Sequence, residues 1–204
     1  NAKLASDVIS GETDIGGAIA DADLFLLDDG AGGTLRKTAA SRIKTYVGGG
    51  ITEADMWRLT TTITGTNADI TSNLERVDDA SFGRIGTGMT ESSGIFSFPS
   101  TGIWLLGSMI SVGFGNQADN NTNVTVKATI NNADYDDISF IAAGSNSSSG
   151  NSRFSVFKQN YIDVTNVSNV KVKFTTGSME SGSEVVGNTD INMTAFSFVR
   201  IGDT

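Results

Sequence analysis

From residue 56 to the end, the chain repeats one pattern: short runs rich in Val, Ile, Phe and Thr, each closed by a cluster of Gly, Asn, Ser or Asp. At the centre lies Ser93-Gly94-Ile95-Phe96-Ser97-Phe98-Pro99-Ser100-Thr101-Gly102-Ile103-Trp104-Leu105-Leu106, which reads as two strands joined by a tight Pro/Gly corner. The second strand is apolar on both flanks, with Ile103, Leu105 and Met109 alternating against Trp104, Leu106, Ile110, Val112 and Phe114. A strand with one wet face has no use for a second apolar flank, so two covering surfaces are implied. The last strand repeats the situation, with Met193, Ala195 and Val199 facing away from Phe196 and Phe198. One flank is expected to fill a sandwich and the other to meet neighbouring subunits. The subunit interface is assigned to Trp104, Leu106, Ile110, Val112, Phe114, Phe196 and Phe198, and the alternative cover is the chain's own first fifty residues.

Further strands are expected over residues 60–63, 74–77, 94–98, 103–114, 124–130, 138–142, 153–164, 170–175 and 191–201, with no helices between them. Plain alternation marks two of these. Val124, Val126, Ala128 and Ile130 oppose Thr125, Lys127 and Thr129, and Val170, Val172 and Phe174 oppose Lys171 and Lys173. The fold class is therefore all-β, a jelly-roll β-sandwich of roughly 8–10 strands over residues 51–204. Thr52-Glu53-Ala54-Asp55 reads as the cap of a brief helical turn before the first strand.

Residues 1–50 differ. Asp23-Leu24-Phe25-Leu26-Leu27-Asp28-Asp29 predicts a strand, Gly30-Ala31-Gly32-Gly33 a turn, and Thr34-Leu35-Arg36-Lys37-Thr38 a return strand. Ile43, Tyr46 and Val47 then fall at helical spacing within residues 39–47. Such a small ββα unit cannot build a core alone and is expected to pack on something else. Gly48-Gly49-Gly50 predicts a hinge between it and the sandwich.

The 204 residues include no Cys and no His. Disulfides, thiolate nucleophiles, Cys-based zinc sites and His-dependent triads are thus excluded. The net charge of −9, from 23 acidic and 14 scattered basic residues, argues against nucleic acid and anionic membrane as partners. No run is long and apolar enough to span a bilayer, and the first residues lack a signal-peptide core, so a soluble protein made in a cytoplasm is expected.

Few groups carry chemistry. Asp119, Asp134, Asp136 and Asp137 offer oxygen ligands for calcium but lack EF-hand spacing, and acidic turns account for them as well. Asp28-Asp29 and Asp78-Asp79 invite a paired-carboxylate reading, yet neighbours in a strand point to opposite faces, so within a strand each pair gives at most one group to a shared site, and both pairs read better as turn residues. Trp57 divides evenly between packing and exposure, and Tyr135, set in an acidic loop, is the better candidate for a surface contact. The polar segments 115–123 and 144–152 predict exposed loops, where sugar binding competes with plain solvation.

The residues 53–60, Ser72-Asn73-Leu74-Glu75-Arg76-Val77-Asp78, the block from Gly86 to Gly102 and the ending 198–204 together resemble a module of virion structural proteins from marine bacteriophages, cyanophages especially. That module is similar to the jelly-roll globular head of complement and tumour necrosis factor proteins, with Phe96-Ser97-Phe98-Pro99 and Gly102-Ile103-Trp104 at the strand that opens the core. The resemblance implies three subunits around an axis. Residues 22–29 and 35–38 resemble leader modules of the same phage proteins, which implies a particle anchor built on Leu24, Phe25, Leu26, Leu27, Ile43, Tyr46 and Val47. No catalytic residue is implied. The expectation is a non-enzymatic, homotrimeric virion surface protein without cofactors, made in a bacterial host. Its partners would be another virion protein through residues 1–50 and a host surface glycan or protein through the head. A tail fibre or spike subunit competes with a capsid decoration protein, because 204 residues without a shaft are short for a fibre. A calcium- or sugar-binding lectin and an envelope hydrolase are the rivals from other classes.

Overall fold

The computed structural model describes residues 15–28, 30, 35–47 and 50–204, and divides the chain into two compact units, Asn1–Gly50 and Ile51–Thr204. In the first unit, β1 (Leu24–Asp28) and β2 (Leu35–Ala39) pair antiparallel, with Leu24 opposite Ala39 and Asp28 opposite Leu35. Helix α1 (Ala40–Val47) follows at once, its start joined to the hairpin by the Ala40 amide, which donates to the Asp23 carbonyl at 2.8 Å. The turn expected at Ala31-Gly32-Gly33 and the hinge at Gly48-Gly49 lie outside the described residues, as does Asp29 of the first aspartate pair.

The second unit contains strands β3 (Ala54–Leu59), β4 (Ile63–Thr64), β5 (Leu74–Arg76), β6 (Thr90–Ser92), β7 (Ile95–Ser97), β8 (Gly102–Gly115), β9 (Asp119–Thr129), β10 (Asp136–Ser145), β11 (Asn151–Val164), β12 (Lys171–Gly177), β13 (Ser183–Val185) and β14 (Ala195–Gly202). They form an all-β jelly roll of two antiparallel sheets. One sheet has the order β10-β9-β12-β7-β6. The other is built on β8, flanked by β11 along its whole length and, on its other side, by β14 and then β13, with β3, β4 and β5 beyond. Strands β3, β6 and β13 are what lengthen the sequence-based strand list.

The Pro/Gly corner carries the chain from one sheet to the other, since β7 belongs to the first and β8 to the second. Gly102 makes this possible with φ +136°, where a side chain would run into the Arg200 guanidinium and the Gly202 carbonyl within 2.5 Å. Between the sheets lies an aromatic core. Phe174 of β12 stacks on Phe196 of β14 at 3.5 Å, and Phe96 of β7 meets Trp57, Phe174 and Phe198 at 5.5, 5.7 and 5.2 Å. Val124, Val126, Val172 and Ile141 complete the wall opposite β8.

One expectation fails outright. Residues 52–55 do not cap a helical turn; strand β3 begins at Ala54. The reason is the environment of Asp55, whose side chain is 1 % exposed. Its carboxylate accepts from Trp57 Nε1 at 3.0 Å, Arg76 Nε at 3.0 and 3.1 Å and the Met89 amide at 2.8 Å. Arg76 also lies over the Trp57 ring at 4.8 Å. Donors from β5 and from residue 89 thus outweigh a capping pattern that is purely local.

Candidate assembly surface

The two flanks of β8 sort themselves by what lies opposite. Trp104, Leu106, Ile110, Val112 and Phe114, with Phe196 and Phe198 of β14, are all buried within the single chain. Trp104 packs against Phe98 at 5.2 Å and donates its indole N–H to the Ser100 carbonyl at 3.2 Å. Assigning these seven residues to the subunit interface is therefore corrected: the second sheet of the same chain covers them, and nothing of them remains for a neighbour.

The outward flank is the one left over. Cross-strand register places Tyr161, Leu105, Val199 and Ala54 in one row, then Gln159, Gly107, Ser197 and Met56, then Phe157, Met109 and Ala195. Tyr161 is 74 % and Phe157 57 % exposed, while Leu105, Met109 and Val199 are half-buried. In the middle row a side chain at Gly107 would meet Ser197 Oγ at 2.5 Å and the Phe157 ring at 3.2 Å. Glycine here lets Ser197 and the Phe157 ring close over strand β8, and Gly107 is buried. Ile103 and the exposed Ile201 extend the same face. Scattered apolar residues are ordinary on a surface, and exposed apolar side chains gathered on one flank make this the candidate contact surface.

A second set of exposed apolar side chains lies on the outer strands of the two sheets. Strands β10 and β11 are the outer strands of their two sheets and approach each other at one side of the sandwich. Ile138 and Phe140 of β10 and Phe154 of β11 are exposed there. Side chains bridge the gap: Lys158 Nζ donates to the Phe140 carbonyl at 2.6 Å, and Asn160 Nδ2 to the Ile138 carbonyl at 3.4 Å.

The candidate calcium ligands do not converge. Register sets Asp119 opposite Ser145 and Asp136 opposite Ala128, so they mark opposite ends of the β9–β10 pair, about 30 Å apart. Asp137 pairs with Lys127 at 2.7 Å, and Asp134 accepts from Asn131 Nδ2 at 3.0 Å. Among the described residues no three His, Cys, Asp or Glu groups are placed to hold a metal ion. Asp119 is instead a buried structural carboxylate, accepting from the Ser183 and Thr122 hydroxyls and the Asn121 and Glu180 amides. Burial raises its pKa, but the four donors outweigh that and hold it at about 2, below the ordinary 3.8. Its contribution to stability is thus present above about pH 4 and lost as the pH falls through 2. Urea denaturation should show Asp119→Asn less stable at pH 7 by on the order of 2 kcal/mol, with the gap to the parent protein closing near pH 2.

Asp78 and Asp79 follow β5 in irregular backbone, as the turn reading has it, so strand alternation does not apply and the two share a site. Both reach Arg58, whose side chain is 2 % exposed: Nη2 donates to Asp78 Oδ1 and Nη1 to Asp79 Oδ2, each at 2.8 Å, and Nε to Glu75 Oε1 at 2.6 Å. This is an ion-pair cluster around one buried cation. Burial lowers the Arg58 pKa, and the Glu75 and Asp79 carboxylates overcome it and leave the guanidinium raised.

Of the two candidate aromatics, Trp57 is buried in the core, and Tyr135 is half-buried under Lys173, whose Nζ sits 4.4 Å from its ring. The proposed anchor residues carry exposed apolar surface: Leu24 is 61 % and Tyr46 92 % exposed, Leu26, Leu27 and Val47 are also exposed, and Phe25 and Ile43 are half-buried. Leu27, Thr38, Arg42, Ile43 and Tyr46 line a cleft of about 280 Å³. No helix among the described residues is long and apolar enough to cross a membrane.

No protein-family model and no curated protein matches the sequence. Solved structures do match in shape. The Eiger TNF of S. frugiperda is 12 % identical with a TM-score of 0.55, over 76 % of this chain and 96 % of that one. Murine APRIL is 11 % identical with a TM-score of 0.51, over 73 % and 98 %. The PRD1 vertex protein P5 is 17 % identical over 76 % and 100 %, with a TM-score of 0.43. The first two establish the fold as a tumour necrosis factor-like jelly roll; at such identities they establish nothing more.

Proposed function

We propose that the chain is a non-enzymatic structural protein of a bacteriophage virion that assembles as a homotrimer through its head. The observation that carries the assembly is the presence of two different apolar patches on one head: the face with Leu105, Met109, Val199, Phe157 and Tyr161, and the edge with Ile138, Phe140 and Phe154. A patch that pairs with itself closes a two-fold dimer. Two unlike patches pair head to tail, and such contacts close into a ring when the rotation permits. A ring of three, the edge of each head on the face of the next, agrees with the expectation from the sequence resemblance. The aromatic and aliphatic make-up of both patches suits the centre of a permanent interface.

The virion assignment rests on the sequence resemblance. The exposed apolar side chains of the first unit, Leu24, Leu26, Leu27, Tyr46 and Val47, supply what an attachment module needs in order to be covered by another virion protein. The head would then project as a tail fibre or spike subunit toward the host. Multi-angle light scattering on the purified protein tests the assembly. A mass of about three times the 21.3 kDa chain is expected, and a 21.3 kDa species at micromolar concentration would overturn it.

A further inference from the structure

At one end of the sandwich the loops after β4, β8, β10 and β12 enclose an open cleft of about 520 Å³, within the usual range of ligand sites of ~300–1,000 Å³. Its floor is held in place. Asp119 ties the start of β9 to the β12–β13 loop through the hydrogen bonds given above, and Asn67 grips the Met179 backbone from both sides, accepting from its amide at 2.8 Å and donating to its carbonyl at 3.3 Å.

The rim is chemically specific. Asn120, Asn146 and Glu180 are exposed there and have no side-chain hydrogen-bond partner among the described residues, and Asn121 gives only its Nδ2, to Ser178 Oγ at 3.4 Å. Amide oxygens and a carboxylate accept, and amide nitrogens donate, so the rim matches groups that do both, as sugar hydroxyls do. No Lys, Arg or aromatic residue lines the cleft, and the chain carries a net charge of −9. Anionic and hydrophobic ligands are therefore poorly served.

We propose that this cleft binds a neutral saccharide, with the Asn120 and Asn146 amides and the Glu180 carboxylate holding its hydroxyl groups. None of these residues belongs to the face or the edge assigned to assembly, so the inference stands independently of the trimer. Saturation-transfer NMR on the full chain tests it, with glucose, galactose, mannose, N-acetylglucosamine and their β-linked disaccharides as probes and a sulfated disaccharide as the anionic control. Signal transfer to at least one neutral sugar is expected, with affinity reduced about tenfold or more in Asn146→Ala/Glu180→Ala. An unchanged thermal midpoint would show that variant to be folded; Asn120→Ala serves as the second variant should it not be. Silence across the neutral panel, transfer that survives both variants, or a stronger response from the sulfated sugar would each overturn the proposal.

Discussion

Phe157→Glu combined with Tyr161→Glu is expected to turn the proposed trimer into a folded 21.3 kDa monomer. Both side chains are largely exposed in the single chain, at 57 % and 74 %, so the head itself should lose no more than about 0.5 kcal/mol per substitution. In the assembly the same positions would place two unpaired carboxylates in every apolar contact. Desolvating an unpaired charge costs several kcal/mol, and the effect repeats at each contact around the ring. Ile130→Glu is the control: Ile130 is equally apolar and 78 % exposed, but it follows β9, away from the β8 face. That variant should keep the parent mass. A double variant that still scatters as a trimer would refute the face-and-edge arrangement.

The second large effect is an asymmetry. Removing the three carboxylates around Arg58 with Glu75→Ala, Asp78→Ala and Asp79→Ala leaves a 2 %-exposed guanidinium without counter-charge, which should cost about 3–5 kcal/mol in chemical denaturation. Arg58→Met removes the cation instead. Glu75, Asp78 and Asp79 are 36 %, 77 % and 44 % exposed and can turn to water, while Met fills much of the vacated volume, so a change of no more than about 2 kcal/mol is expected. If Arg58→Met proves the more damaging, the cluster owes its role to packing rather than to charge balance.

Much of this architecture is legible in the sequence, for identifiable reasons. Val124, Val126, Val172 and Phe174 alternate with polar residues, and that alternation alone fixes which way β9 and β12 face. Strand β8 defeats the same reasoning, because both of its flanks are apolar. Which flank points inward depends on Phe96, Phe98 and Phe174 arriving from the other sheet, and no periodicity within residues 102–115 encodes that. The weight of Trp104 suggested a contact with a partner, whereas a large aromatic at 0 % exposure is more economically a core residue. A clue lay in the smaller residues: Gly107, Ser111 and Gly113 occupy the outward flank, where Phe157, Ser197, Ser155 and Glu184 of neighbouring strands lie over them.

The acidic groups were harder to read. Asp119 suggests a metal ligand until Ser183, Thr122 and Glu180 are seen to use its oxygens, and Asp55 suggests a helix cap until Arg76 and Met89 arrive. Each is decided by donors far away in the chain. The Asp78-Asp79 pair lies beyond the end of β5, in keeping with the turn reading, but nothing local announces that Arg58 draws both carboxylates to one side.

The bridges from Lys158 to the Phe140 carbonyl and from Asn160 to the Ile138 carbonyl have a bearing on crowding. Wherever many heads stand side by side, an open sheet border invites strands from other copies and the endless stacking that ends in fibrils. By occupying those acceptors with side chains, and by keeping a lysine at the border, the protein closes this border to a neighbouring backbone.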